Sequence, residues 1–174
     1  TVDDALELLD EVAADLDELP LVVGGDSAGG GLALAWVQRA SIASKPRKLL
    51  LISPWVDASF ESDEAKQLEK LDPWLSSQAL EYIGNVWSGT GSKSRPEVSP
   101  IRGEMRDLPP ILIFIGGLDL LHPQVRKLAS LLAESGTKVE LHEELGALHV
   151  YPLIQTREGQ AAASLISKPI ERFG

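Results

Sequence analysis

The chain has 174 residues, of which 44% are hydrophobic and 24% charged, a composition that suits one globular domain with a buried core. Its formal net charge of −10 argues against nucleic acids and anionic membrane surfaces as partners. The absence of cysteine excludes thiol catalysis, disulfides and Cys-based zinc sites. No apolar stretch is long enough to span a bilayer and residues 1–11 are acidic, so we expect a cytoplasmic protein.

Helical and extended patterns alternate along the chain. Apolar residues at helical spacing predict a first helix over residues 2–16, ahead of Pro20. Short apolar runs predict buried strands over 21–25, 49–52, 111–115 and 139–142. Further helices are predicted over 27–43, 121–135 and 159–172. The alternation predicts an α/β fold, with about four mainly parallel strands flanked by helices within a single domain over residues 1–174.

Residues 58–100 interrupt this alternation between the second and third strands. Two helices are predicted there, over 61–71 and 76–87, followed by a stretch rich in Gly, Ser and Pro. Enzymes with α/β folds place lids and specificity elements in long connections at the carboxyl ends of strands. We therefore interpret residues 58–100 as a helical insertion beside the functional site.

A G-x-S-x-G motif lies between the first strand and the helix that follows. It reads Gly25-Asp26-Ser27-Ala28-Gly29, and this strand–turn–helix context predicts a strained turn that exposes the Ser27 hydroxyl. We expect side chains at positions 25 and 29 to collide with neighbouring backbone. The Ala28 N–H would lie near a developing oxyanion. The glycine spacing fits neither a dinucleotide fingerprint nor a P-loop, which leaves a non-catalytic turn as the alternative.

A serine nucleophile needs a base and an acid, which this type of fold supplies in the order Ser, Asp or Glu, His. Asp119 follows the third strand through two glycines, and His149 follows the fourth strand through a Gly-Ala turn. Because the carboxyl ends of adjacent parallel strands lie side by side, these loops can converge on Ser27. The order of residues therefore predicts a Ser27–His149–Asp119 triad.

Three other residues compete for the roles of acid and base. Asp57 also follows a strand, but the Ser-Pro-Trp turn before it favours a local hydrogen-bonding role. His142 lies within a strand and His122 precedes a proline at a helix start, so both are interpreted as structural or solvated. The string His-Glu-Glu from His142 lacks the second His of a zinc helix, and we predict no metal site.

Four stretches together resemble the hormone-sensitive-lipase-like branch of the α/β-hydrolase superfamily. They are Gly-Asp-Ser-Ala-Gly-Gly from Gly25, Ser-Pro-Trp-Val-Asp from Ser53, Gly-Gly-Leu-Asp-Leu-Leu from Gly116, and His149 with the preceding Gly146. The resemblance implies hydrolysis of small carboxylic esters through an acyl-enzyme on Ser27, with His149 and Asp119 completing the triad. It also implies short or medium acyl groups and no cofactor.

The chain departs from this family in two places. Gly31 stands where the family usually has Asn, and no His-Gly-Gly motif is present to complete the oxyanion hole. We therefore expect the chain to correspond to the C-terminal portion of the fold. The nucleophile strand would then lie at a sheet edge, open to oligomerisation or to a complementing N-terminal segment. Two alternatives stay open: a weakly active or inactive fragment, and a non-catalytic ligand-binding relative, against which the retained His149 argues.

Overall fold

A sheet of four parallel strands forms the centre of the structure, a computed structural model that describes residues 1–16, 21–40, 46–59 and 62–167. The strands follow one another in the spatial order β1-β2-β3-β4. They are β1 (Val22–Asp26), β2 (Lys48–Ile52), β3 (Ile111–Gly116) and β4 (Val139–Glu144). The expected four-stranded α/β fold is confirmed, with strand bounds that differ from the expected ones by one or two residues.

Six α-helices lie in the described part of the chain. They are α1 (Val2–Ala14), α2 (Ser27–Arg39), α3 (Asp63–Leu68), α4 (Ser77–Trp87), α5 (His122–Glu134) and α6 (Arg157–Ile166). Short 3₁₀ turns cover Pro100–Arg102 and Tyr151–Leu153.

The helix ends differ from the predictions for local reasons. The helix α2 ends at Arg39 because Ala40 is extended, and residues 41–43 of the predicted helix lie outside the described residues. The helix α6 begins earlier than predicted because the Thr156 side chain accepts a hydrogen bond from the Gly159 N–H and caps it. Residues 168–172 at its predicted end also lie outside the described part.

The two faces of the sheet are covered by different helices. Alternate residues of the central strands, among them Leu49, Ile111 and Ile113, pack in one cluster with the buried sides of α1, α2 and α5. On the opposite face, Phe114 packs with Tyr151 and with Ala162 of α6. The central strand β3 is buried at every position, which explains why its sequence is an unbroken apolar run rather than an alternating one.

The connection between β2 and β3 contains α3 and α4, as the sequence predicts for the insertion. Ser62 and Ser76 cap the two helices by accepting hydrogen bonds from the N–H groups of Ala65 and Ala79. None of the helices in the described ranges is both long and apolar enough to cross a membrane.

The strand β1 lies at one end of the described sheet and pairs there with β2 alone. Val22 is 41% exposed, and exposure alternates along the whole strand. The position of β1, the strand before Ser27, at an edge of the described sheet therefore agrees with the expectation from the sequence.

Candidate active site

The serine of the G-x-S-x-G motif lies on a left-handed turn between β1 and α2. Ser27 has φ of 50°, a conformation that costs an L-residue roughly 1–2 kcal/mol. The turn is held by its surroundings, because the Trp55 N–H donates a 2.8 Å hydrogen bond to the Ser27 carbonyl. A Cβ at Gly25 would overlap the Gly29 carbonyl, so the turn requires glycine at position 25, as predicted.

The expectation for Gly29 is wrong, because a Cβ built there has no heavy atom within 4 Å. The tight contacts involve the next two glycines instead. A Cβ at Gly30 would lie 2.8 Å from the Pro54 Cβ, and one at Gly31 would overlap the Trp55 carbonyl oxygen. The first turn of α2 thus packs against the segment after β2 with glycine at its contact points.

The structure brings Ser27, His149 and Asp119 into one hydrogen-bonded chain. The Ser27 Oγ lies 3.0 Å from the His149 Nε2, and the His149 Nδ1 lies 2.9 Å from the Asp119 Oδ2. Asp119 is fully buried and His149 is 6% exposed, whereas Ser27 is partly exposed. The arrangement thus presents one reachable hydroxyl backed by two buried groups.

The hydrogen bonds define the tautomer of the imidazole. A carboxylate only accepts hydrogen bonds, so the His149 Nδ1–H donates to Asp119 and leaves the Nε2 lone pair for the Ser27 hydroxyl. The second carboxylate oxygen of Asp119 accepts a 2.8 Å hydrogen bond from the Leu121 N–H. Both oxygens of Asp119 therefore have donors, and the carboxylate is held in one orientation.

The competing acid, Asp57, makes local hydrogen bonds away from His149. Its Oδ1 accepts from the Ser59 N–H and hydroxyl at 3.0 and 2.7 Å and from the Ser99 hydroxyl at 3.3 Å. Its Oδ2 lies 3.5 Å from the Arg102 guanidinium. The Ser59 contacts agree with the local role that the sequence favoured, whereas Ser99 and Arg102 are distant from Asp57 in sequence.

The two other histidines have partners outside the triad. The His122 Nε2, at the start of α5, lies 2.9 Å from Glu143 of β4. The His142 Nε2 lies 2.6 Å from Glu140, and its ring stacks on Phe114 at 4.8 Å between centroids. In the described residues, no group of three or more His, Asp or Glu side chains is arranged to hold a metal ion.

Ser53 and Val150 form a contact that the sequence did not predict. The buried Ser53 Oγ accepts a 2.9 Å hydrogen bond from the N–H of Val150, the residue directly after His149. Both residues have positive φ, 45° for Ser53 and 49° for Val150. This conformation is uncommon for a β-branched residue such as Val150. The loop of the histidine is therefore pinned to the end of β2.

The backbone N–H of Ala28 lies in the first turn of α2, where amide groups have no partner within the helix. This end of the helix also carries the positive side of the helix dipole. Ala28 is partly exposed beside the Ser27 hydroxyl. The first turn of α2 thus offers a hydrogen-bond donor and a favourable field to an anion that forms next to Ser27.

Tyr151 lies two residues after His149 and is 6% exposed. Burial, together with the charge of Glu144, raises the pKa of its phenol to about 12. The side chain therefore stays neutral over the physiological range and packs edge-on against Phe114 at 6.5 Å between centroids. Tyr151 therefore packs the segment that follows His149 against β3.

Comparisons with known proteins identify the family of the fold. A family model described as the alpha/beta hydrolase fold matches residues 1–153. The chain is 30% identical over 133 residues to an acetyl-hydrolase of Streptomyces hygroscopicus, a match that covers 75% of this chain and 44% of that protein. It is 28% identical over 157 residues to esterase LipU of Mycobacterium tuberculosis, covering 86% and 50%.

Solved structures with the same fold also match the chain. A hormone-sensitive lipase from a metagenome library matches with a TM-score of 0.82 at 25% identity, covering 94% of this chain and 57% of that one. The chain thus spans about half the length of the curated relatives it matches.

Proposed function

Because the chain belongs to the hormone-sensitive-lipase-like branch of the α/β-hydrolase family, we propose that it hydrolyses small carboxylic esters through an acyl-enzyme on Ser27. The observation that carries the proposal is the continuous hydrogen-bonded chain from the Ser27 Oγ through His149 to Asp119. A nucleophile, a base and an orienting carboxylate in this geometry are the parts that acyl transfer needs.

In the proposed acylation step, the Ser27 Oγ attacks the ester carbonyl carbon while the His149 Nε2 takes the hydroxyl proton. The resulting imidazolium is stabilised by Asp119, which also keeps the ring in the required orientation. Collapse of the tetrahedral intermediate breaks the bond to the alkoxy oxygen, and the proton on His149 passes to the departing alcohol. Water then attacks the carbonyl of the acyl-enzyme while the His149 Nε2 takes its proton, and breaking the bond to the Ser27 Oγ releases the carboxylic acid and returns the proton to the serine.

The developing oxyanion is assigned to the Ala28 N–H. This donor belongs to the first turn of α2, and the helix dipole adds to its effect. Removing one such donor typically costs about 2.7–4 kcal/mol of transition-state stabilisation. The strained turn at Ser27 supports the assignment, because it places the hydroxyl and the start of the helix side by side.

The proposed substrates are esters of short or medium acyl groups. The support is the name of one relative, an acetyl-hydrolase, together with the esterase and lipase names of the others. These names describe longer proteins, of which this chain matches about half. A p-nitrophenyl acetate assay is therefore the first test, since it needs little recognition beyond the acyl group.

A fluorophosphonate probe tests the nucleophile directly, because it reacts much faster with an activated serine than with an ordinary hydroxyl. We expect labelling at Ser27, with none in Ser27→Ala, and turnover of p-nitrophenyl acetate that falls on the order of 10⁴-fold or more in His149→Ala. Mass spectrometry of the labelled peptide identifies the site. A folded wild-type chain that neither labels nor turns over ester, or a His149→Ala variant as reactive as wild type, contradicts the proposal.

A further inference from the structure

Asp72 is a buried carboxylate in the middle of the helical insertion, between α3 and α4. It is 7% exposed, although its neighbours Leu71 and Trp74 are 58% and 54% exposed. Its Oδ1 accepts hydrogen bonds from the N–H groups of Trp74 and Leu75 at 2.8 and 3.1 Å. These two bonds shape the turn that leads into α4.

The other side-chain oxygen of Asp72 contacts a residue outside the insertion. Its Oδ2 accepts a 2.9 Å hydrogen bond from the N–H of Leu120, which lies 48 positions further along the chain and directly after Asp119. This hydrogen bond joins the insertion to the loop that carries Asp119.

The hydrogen bonds of the Asp119 loop show why this contact matters. The Asp119 N–H donates to the Gly116 carbonyl at 3.2 Å, and the Leu121 N–H donates to the Asp119 side chain at 2.8 Å. Of these three consecutive amide groups, the Leu120 N–H is the one that depends on a distant side chain. The peptide unit between Asp119 and Leu120 is thus held at both ends: its carbonyl accepts a 2.9 Å hydrogen bond from the His122 N–H within the loop, and its N–H donates to Asp72 outside the loop.

Because this hydrogen bond is buried, the orientation of the Asp119 loop depends strongly on Asp72. Leu120 is 2% exposed and Asp119 is fully buried, so water has little access to the Leu120 N–H. A buried donor that loses its acceptor carries an unfavourable free energy, which favours a rotation of the peptide unit that the hydrogen bond from the His122 N–H to the Asp119 carbonyl opposes. Rotation of this unit would move the Asp119 carboxylate away from the His149 Nδ1.

We propose that Asp72 is a positioning residue for the triad acid, which couples the folded insertion to the orientation of Asp119. The inference rests on the proposed function of Ser27, His149 and Asp119. Asp72 does not touch these reacting groups through its own side chain. It acts through the Leu120 N–H, so its effect is expected on the chemical step rather than on substrate binding.

The variant Asp72→Asn separates the two oxygens. An amide oxygen can keep the bonds from Trp74 and Leu75, while the amide nitrogen, which only donates, faces the Leu120 N–H. The matched control is Ser76→Ala, which removes the cap of α4 in the same segment and leaves the Leu120 bond intact. Both variants weaken the insertion, but only the first alters the loop of Asp119.

Two measurements follow. In ester turnover we expect Asp72→Asn to lower kcat by about tenfold or more with little change in KM, whereas Ser76→Ala keeps the wild-type kcat. In the Asp119→Asn background, the further loss from Asp72→Asn should be small, because the two residues act on one element. A full additive loss, or an equal effect of Ser76→Ala on kcat, overturns the inference.

A third measurement does not need turnover. The proton on the His149 Nδ1 gives a strongly deshielded NMR signal while it is bonded to Asp119, and we expect this signal to shift or disappear in Asp72→Asn but not in Ser76→Ala. If wild type shows the signal but hydrolyses no ester, the proposed function fails while the positioning role is still judged by the two variants. An unchanged signal in Asp72→Asn overturns the positioning role whether or not the protein is active.

Discussion

Replacing Ser53 tests how far the position of His149 depends on the end of β2. Ser53→Ala removes the acceptor of the Val150 N–H, a 2.9 Å hydrogen bond at a fully buried residue. Val150 is itself only partly buried, so we expect the free energy of unfolding to fall by about 0.5–1.5 kcal/mol, the net contribution of one hydrogen bond. Because Val150 follows His149 directly, the base should also lose its fixed orientation.

A second variant separates this hydrogen bond from backbone strain. Ser53→Gly removes the same hydroxyl but relaxes the positive φ of 45°, which is worth about 1 kcal/mol to the folded state. Ser53→Gly should therefore be more stable than Ser53→Ala by about that amount. Both variants should react with a fluorophosphonate at least about tenfold more slowly than wild type, because both lose the contact that holds the histidine loop.

Urea denaturation gives the stabilities, and the second-order rate of fluorophosphonate labelling of Ser27 gives the reactivity. Labelling of Ser53→Ala at the wild-type rate would show that the Val150 contact does not position His149. Equal stabilities of the two variants would contradict the expected net gain from relieving the left-handed conformation at position 53.

Two further predictions concern packing and ionisation. Gly31→Ala should lower the urea midpoint by the equivalent of about 1–3 kcal/mol, because the added Cβ overlaps the Trp55 carbonyl. Gly29→Ala should be neutral or stabilising, because a Cβ there meets no heavy atom within 4 Å. Equal urea midpoints of the two variants would contradict this packing. Tyr151 should ionise near pH 12 in a spectrophotometric titration of Tyr82→Phe, which leaves it as the single tyrosine. Because folding raises this pKa, the contribution of Tyr151 to the free energy of unfolding is fully present below the pKa of the unfolded phenol and is lost as the pH rises towards 12. A Tyr151 that titrates at the usual pKa of tyrosine would refute the burial argument.

The strands and the grouping of the three site residues could be predicted because their signals are local. Each strand is a short apolar run between turn residues, and Ser27, Asp119 and His149 each follow a strand through glycine or a tight turn. The chain order of nucleophile, acid and base, together with the parallel sheet, then places all three at the same edge. The structure adds the distances and the tautomer, which no pattern in the sequence contains.

Ser53 and Asp72 could not be predicted in their positions beside the site. Their partners are the backbone N–H groups of Val150 and Leu120, 97 and 48 residues away, and a backbone group leaves no mark in the sequence. The error at Gly29 has a similar origin. Whether a glycine is required depends on which carbonyl approaches it, and that is decided by the packing of α2 on the segment after β2.

The spatial order of the strands gives this site a further property. His149 follows β4 and Ser27 follows β1, so the histidine loop reaches back across three strand spacings, roughly 14 Å, over the ends of β3 and β2. The reactivity proposed for Ser27 would therefore report on the cooperativity of the whole sheet. Any partial opening that detaches β4 would leave Ser27 an ordinary hydroxyl, and its reactivity would disappear in denaturant before the core packed on the faces of β2 and β3 unfolds.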